Sequence, residues 1–80
     1  MKIAITGAKG KVGSAVVKLC HEQGHSTIQI DLVDGESEGP DMVYKKVDTA
    51  GDYDGLVEAF RGADAVIHLA AIRWVSPGHV

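Results

Sequence analysis

Thr6-Gly7-Ala8-Lys9-Gly10-Lys11-Val12-Gly13 decides the fold, because its glycines fall at Gly-x-x-Gly-x-x-Gly spacing between two segments of different hydrophobic period. Before it, Lys2-Ile3-Ala4-Ile5-Thr6 is short, apolar and rich in β-branched residues, and Gly7 stops it, which predicts a buried strand. After it, Val12, Val16, Leu19 and Cys20 recur at helical spacing. Gly24 follows as a left-handed cap, so the pattern predicts a helix over residues 11–23. In a strand-turn-helix unit of this kind Gly7 permits a tight exit from the strand and Gly10 lets backbone approach a ligand. Gly13 lets the helix lie close on the sheet.

Working outward, Ser26-Thr27-Ile28-Gln29-Ile30-Asp31 reads as a second strand that ends in a carboxylate and runs parallel to the first through a right-handed crossover. Residues 34–41 are turn formers and acids, and predict a polar surface loop. Residues 42–47 form a third strand despite two lysines. Asp52 is placed to cap a second helix, with Tyr53, Leu56, Val57 and Phe60 at i, i+3, i+4 and i+7 and Gly62 closing it. Ala65-Val66-Ile67-His68-Leu69-Ala70 is expected as the fourth strand, apolar on both faces as a central parallel strand should be. Strands alternating with helices predict an α/β sheet.

The chemistry of the turn follows from its place. A helix N-terminus offers N–H groups without intrahelical acceptors and the positive end of the dipole, which suits a diphosphate. An acid about 20 residues further on is expected to accept hydrogen bonds from an adenosine ribose, and Asp31 stands there. Together these predict a dinucleotide site. A 2′-phosphate about 5 Å from the Asp31 carboxylate would be repelled by roughly 3 kcal/mol per unit charge at an effective dielectric of about 20, which favours NAD over NADP. Lys9 pulls the other way, since a cation in the turn can reach that phosphate, and Lys11 adds positive charge beside it.

Composition bounds the remaining possibilities. At 80 residues the chain is one domain at most, and its 45% hydrophobic and 24% charged content is that of an ordinary globular protein. A net charge of -3 with scattered lysines gives no attraction for nucleic acid. Residues 65–72 are the longest apolar stretch, too short to span a bilayer, and Lys9 and Lys11 interrupt any signal-like start, so no membrane association is expected and a cytoplasmic location is. The single cysteine, Cys20, excludes an internal disulfide and falls on the apolar stripe of the first helix, where a packing role is expected. His21 and His25 have the i, i+4 spacing of metal ligands, but Gly24 ends the helix between them and no third ligand is in sight, so helix-end histidines are the expectation. His68 is expected as a hydrogen-bonded neutral imidazole in a core strand.

Thr6-Gly7-Ala8-Lys9-Gly10-Lys11-Val12-Gly13, Asp31, Asp48 and His68-Leu69-Ala70-Ala71 together resemble the extended short-chain dehydrogenase/reductases, the NAD-dependent epimerase/dehydratase family. The resemblance spans nearly the whole chain. It implies a partial Rossmann fold with a parallel sheet of four strands in the order 3-2-1-4 and two helices. It further implies cofactor contacts from Gly7, Lys9, Gly10, Lys11, Val12, Gly13 and Asp31, with Asp48 beside the adenine and Leu69, Ala70 and Ala71 lining the groove. On the residues alone, Asp48 reads equally as a surface acid near a helix, and Ala70 and Ala71 as packing.

The family's Tyr-x-x-x-Lys pair is absent: four residues after Tyr44 stands Asp48, and four after Tyr53 stands Val57. No catalytic residue and no metal site can be assigned. Ser76-Pro77-Gly78-His79-Val80 falls inside the loop expected after the fourth strand, so the chain reads as the front part of a longer domain, with its substrate and catalytic region absent. A fourth strand left as a bare edge is expected to favour homodimers. The leading functional reading is therefore an NAD-binding segment of an oxidoreductase or epimerase, inactive alone. The alternative is a non-catalytic module that senses NAD(P) or engages another protein.

Overall fold

The computed structural model describes residues 1–49 and 51–69. Within them the order is β1 (Lys2–Thr6), α1 (Lys11–Glu22), β2 (Ser26–Asp31), β3 (Met42–Lys46), α2 (Tyr53–Phe60) and β4 (Ala65–His68). The strands form one parallel sheet in the order β3-β2-β1-β4, as the family resemblance implies. Register brings Thr6 beside Ile30 on one side and His68 on the other, and Asp31 beside Lys46. The C-terminal ends of the strands therefore share one edge, and the strand order reverses between β1 and β4.

Side chains alternate across the sheet, so each strand feeds two cores. Ile3, Ile5, Ala8, Val17 and Cys20 pack together with α1, and Val16, Ile67 and Leu69 lean on them. Ala4, Ile28, Ile30, Val47 and Ala59 pack together with α2, backed by Leu56, Phe60 and Ala63. β1 lies between two strands and two helices, which explains its continuous apolar run. Complete burial of a side chain such as Ile5 stabilises the fold by roughly 1.5–3 kcal/mol.

α1 ends one residue earlier than expected, at Glu22, and Gln23 is its C-cap. Gly24 takes φ +83°, its N–H reaches the His21 carbonyl at 3.0 Å, and the His25 N–H reaches the Cys20 carbonyl at 2.9 Å. This pair of bonds is a Schellman cap. β3 likewise ends at Lys46, although the Val47 N–H still donates to the Asp31 carbonyl at 2.9 Å. β4 ends at His68, with Leu69 still donating to the Thr6 carbonyl at 3.2 Å; Ala70, the last residue expected in this strand, lies outside the described residues.

The helix faces differ from the sequence reading. On α1 the buried residues are Gly13, Val17 and Cys20, while Val12 is 63% and Leu19 55% exposed. Gly13 seats against the backbone of Gly7 and Ala8 just past β1, so positions i, i+4 and i+7 counted from it turn inward, and Val12 is rotated away by about 100°. On α2 Ala59 is buried and Tyr53 is 78% exposed. Leu56, Ala59, Phe60 and Ala63 lie at i, i+3, i+4 and i+7, and this stripe, shifted from the one expected, meets the sheet. β4 shows alternation instead of burial on both faces: Ala65 and Ile67 are half-buried, Val66 and His68 exposed. Only the α1 side of β4 is covered among the described residues.

The polar loop before β3 does more than connect. The Glu38 N–H donates to the Met42 carbonyl at 2.9 Å and the Ser37 hydroxyl accepts the Tyr44 N–H at 2.9 Å. Part of this loop thus runs along the outer edge of β3 and satisfies backbone groups that β2 does not reach.

Candidate functional site

The glycine turn is a strand-to-helix bend. Gly7 leaves β1 at φ +71°, a left-handed conformation that a Cβ would oppose. The Ala8 N–H donates to the Ile30 carbonyl at 3.2 Å and the Gly10 N–H to the Gly7 carbonyl at 3.1 Å, so the bend is tied both to β2 and to itself. A Cβ on Gly13 would fall 2.0 Å from the Gly7 carbonyl oxygen and 2.8 Å from Ala8 Cα, whereas on Gly10 it would lie 3.3 Å from that oxygen. Gly13 is therefore obligatory for the contact between helix and turn. Gly10 keeps the mouth of the turn narrow in side chains.

The two helices begin in opposite ways. α2 is capped by Asp52, whose Oδ1 accepts the Gly55 N–H at 2.9 Å, and Asp54 stands in its first turn. α1 has Gly10 at its N-cap with no side-chain hydrogen bond, and no acid in its first turn. The amides of Lys11, Val12 and Gly13 open a helix and have no intrahelical acceptors, so an anion from outside is the complement of this end. The residues present fit a diphosphate: small, without carboxylates, and carrying Lys9 and Lys11.

Asp31 points at this bend. Its Oδ2 accepts the Lys9 N–H at 2.8 Å and its Oδ1 accepts the Leu32 N–H at 2.7 Å. The carboxylate thus clamps the glycine turn to the tip of β2, and each oxygen keeps lone-pair capacity for a hydroxyl donor. Lys9 turns its ammonium over the ring of Tyr44, 4.8 Å from the centroid. Tyr44 is buried, its hydroxyl donates to the Val33 carbonyl, and a Cβ at Gly35 would lie 2.7 Å from its ring. Burial, with Asp31 and Asp34 nearby, pushes the Tyr44 phenol above its usual value of 10.0, and Lys46 opposes the rise.

Asp48 follows β3 on the same edge as Asp31. Its carboxylate accepts the Gly51 N–H at 3.2 Å and its carbonyl accepts the Asp52 N–H at 2.8 Å, so it shapes the turn into α2. Leu69 leaves β4 with its N–H 3.0 Å from Thr6 Oγ1. Ala70 and Ala71 lie outside the described residues, as do Trp74 and His79. Gly7, Lys9, Gly10, Lys11, Val12, Gly13 and Asp31 are thus brought together, while Asp48 and Leu69 flank them on opposite neighbouring strands.

Tyr44 escaped the sequence reading, which weighed it only as a catalytic phenol. Its position opposite Gln29 depends on strand register, for which a single chain carries no local signal. The histidines are also better placed than expected. His21 Nε2 lies 2.8 Å from Thr27 Oγ1, and His68 Nδ1 2.8 Å from Thr6 Oγ1, although His68 is exposed instead of buried. Among the described residues no group of three His, Cys, Asp or Glu side chains could hold a metal ion, and no helix is long and apolar enough to cross a membrane. Cys20 is buried and unpaired.

Known proteins share this fold. The chain is 41% identical over 70 residues to an L-arabinose 1-dehydrogenase (NAD(P)(+)) of Haloferax volcanii, a match covering 88% of this chain and 25% of that protein. Among solved structures, a short-chain dehydrogenase/reductase superfamily protein from Agrobacterium tumefaciens with bound NAD superposes with a TM-score of 0.74 at 32% identity, covering 99% of this chain and 23% of the other. A UDP-N-acetylglucosamine 4-epimerase from Bacillus cereus gives 0.71 at 33% identity, covering 95% and 25%. The chain spans about a quarter of the length of these relatives. With residues 3–77 matching the sequence model of that family, and the turn, acid and sheet order in place, the chain belongs to the NAD dependent epimerase/dehydratase family.

Proposed function

We propose that the chain binds NAD and forms the opening part of a single NAD(P)-binding domain of an oxidoreductase or epimerase that acts on a sugar-like or alcohol carbon. The observation that carries this reading is the 2.8 Å bond from the Lys9 N–H to Asp31, which joins an uncapped helix end suited to a diphosphate to a carboxylate suited to ribose hydroxyls. In this reading the amides of Lys11, Val12 and Gly13 donate to the diphosphate, and the glycines keep side chains out of its way. Asp31 accepts the ribose hydroxyls of the adenosine half, Asp48 stands beside the adenine, and Leu69, Ala70 and Ala71 border the groove. Lys9 and Lys11 add favourable charge. Bound NAD supplies the hydride acceptor.

The 80 residues contain no Tyr-x-x-x-Lys pair, so we propose that the chain alone holds cofactor without turning over substrate. NAD is preferred to NADP because the Asp31 carboxylate repels a 2′-phosphate. A cytoplasmic setting is in keeping with a single cysteine, buried and unpaired. Calorimetric titration with both cofactors tests the reading: NAD binds, NADP binds more weakly, and Asp31→Asn shifts the ratio of their dissociation constants toward NADP by tenfold or more. Absence of NAD binding at millimolar cofactor overturns the proposal, and NAD reduction by the chain alone overturns its second half.

A further inference from the structure

Lys9 is held at both of its ends. Its backbone N–H is taken by Asp31 Oδ2 at the tip of β2, while its ammonium lies 4.8 Å from the centroid of the Tyr44 ring on β3. In the sheet order β3-β2-β1, the side chain therefore starts beyond β1 and crosses β2 to reach that ring. A cation within about 6 Å of a ring centroid is held by the quadrupole of the ring. The ring itself is fixed. Tyr44 is buried, its hydroxyl donates to the Val33 carbonyl, and its N–H is accepted by Ser37 Oγ at 2.9 Å. Gly35 packs so close that a Cβ there would stand 2.7 Å from a ring carbon. Register pairs Tyr44 with Gln29 and Lys46 with Asp31, so Tyr44 stands one pleat repeat from the partner of Asp31, on the same face of the sheet.

We propose that Tyr44 is a positioning residue that sets cofactor choice through Lys9: its ring holds the ammonium against β3, so a 2′-phosphate must draw Lys9 off the ring before gaining its charge. Asp31 then opposes such a phosphate while Lys9 is already engaged. NAD lacks that phosphate and asks nothing of Lys9 there. The proposal deepens the dinucleotide-binding reading and rests on it. An aliphatic side chain at position 44 releases the ammonium, and the expected gain of NADP over NAD is the worth of one exposed cation–π contact, about fivefold. Tyr44→Phe keeps the ring and gives up only the hydroxyl bond to Val33.

Two measurements test this. Proton NMR of the unmodified chain reads the contact directly, because ring current moves the Lys9 ε-protons upfield of their position in the urea-unfolded chain. The shift is expected to persist in Tyr44→Phe and to vanish in Tyr44→Leu. Unshifted ε-protons in the unmodified chain overturn the proposal even if no variant folds. Calorimetry with NAD and NADP then follows the ratio of their dissociation constants, which structural damage alone does not move. Tyr44→Leu, or Tyr44→Met where the leucine variant fails to fold, is expected to shift the ratio about fivefold toward NADP, and Tyr44→Phe by less than about twofold. With Lys9→Met already in place, Tyr44→Leu is expected to leave the ratio unchanged. A ratio that stays or moves the other way in Tyr44→Leu, or a shift that survives without Lys9, overturns the role of Tyr44 and leaves the dinucleotide reading standing. No NAD binding by the unmodified chain overturns that reading, and the role of Tyr44 falls with it.

Discussion

Gly13 shows how little freedom the site has, since a methyl group there would sit 2.0 Å from the Gly7 carbonyl oxygen. Backbone lies on both sides of the clash, so relief requires α1 to move off the turn. Gly13→Ala is expected to lower stability by about 3 kcal/mol in urea denaturation, the upper part of the usual overpacking range. It is also expected to abolish NAD binding in whatever fraction remains folded. Tyr44 gives a prediction of a different kind. Its phenol is raised above 10.0 in the folded chain, so the unfolded chain ionises first. Its contribution is complete below pH 10 and is lost as pH rises through the higher folded value. Urea midpoints measured between pH 9 and 11 are therefore expected to fall more steeply for the native chain than for Tyr44→Phe. The Lys46–Asp34 pair, at 2.8 Å with both partners largely exposed, is expected to add nothing measurable.

Among the elements, α1 and α2 are a matched contrast, one helix started by a carboxylate and the other by glycine. Removing the cap with Asp52→Ala is expected to cost about 1 kcal/mol of stability and to leave NAD affinity within twofold. Lys11→Glu should do the opposite: an acid in the first turn of α1 stabilises the helix by about 0.3–1 kcal/mol while opposing a diphosphate, so melting temperature holds or rises as NAD affinity falls about tenfold. Both effects are read by thermal melts and calorimetry on the same samples. Capping was legible from the sequence because Asp52 and Gly24 act within a few residues of themselves. The buried stripes were legible only in part: Cys20, Val16, Leu56 and Phe60 face the cores as read, while Val12, Leu19, Tyr53 and Val57 are exposed. Val12 and Leu19 fit a helical period as well as Val17 and Cys20 do, and only the close seat of Gly13 selects between them.

At the scale of the whole sheet, β4 is the edge left unpaired among the described residues: only β1 pairs with it, and Val66 is exposed. The β3 side is protected by its own loop, so β4 is the more open edge among the described residues. We propose that the chain self-associates there, and expect light scattering at high concentration to report a dimer; a monodisperse monomer would refute this. Residue order alone was enough for the strand-turn-helix unit, the alternation of strands and helices and the acid beside the turn, while the 3-2-1-4 order of the sheet came from the resemblance to the family. Hydrophobic period, turn chemistry and capping are short-range properties, written within a few positions of where they act. That Lys9 meets Tyr44, that Asp31 clamps the turn through a backbone amide, and that Thr6, His68 and Leu69 share one hydroxyl came from folding. Those contacts join residues as far as 63 positions apart, and strand register and the approach of α1 to the sheet set their distances.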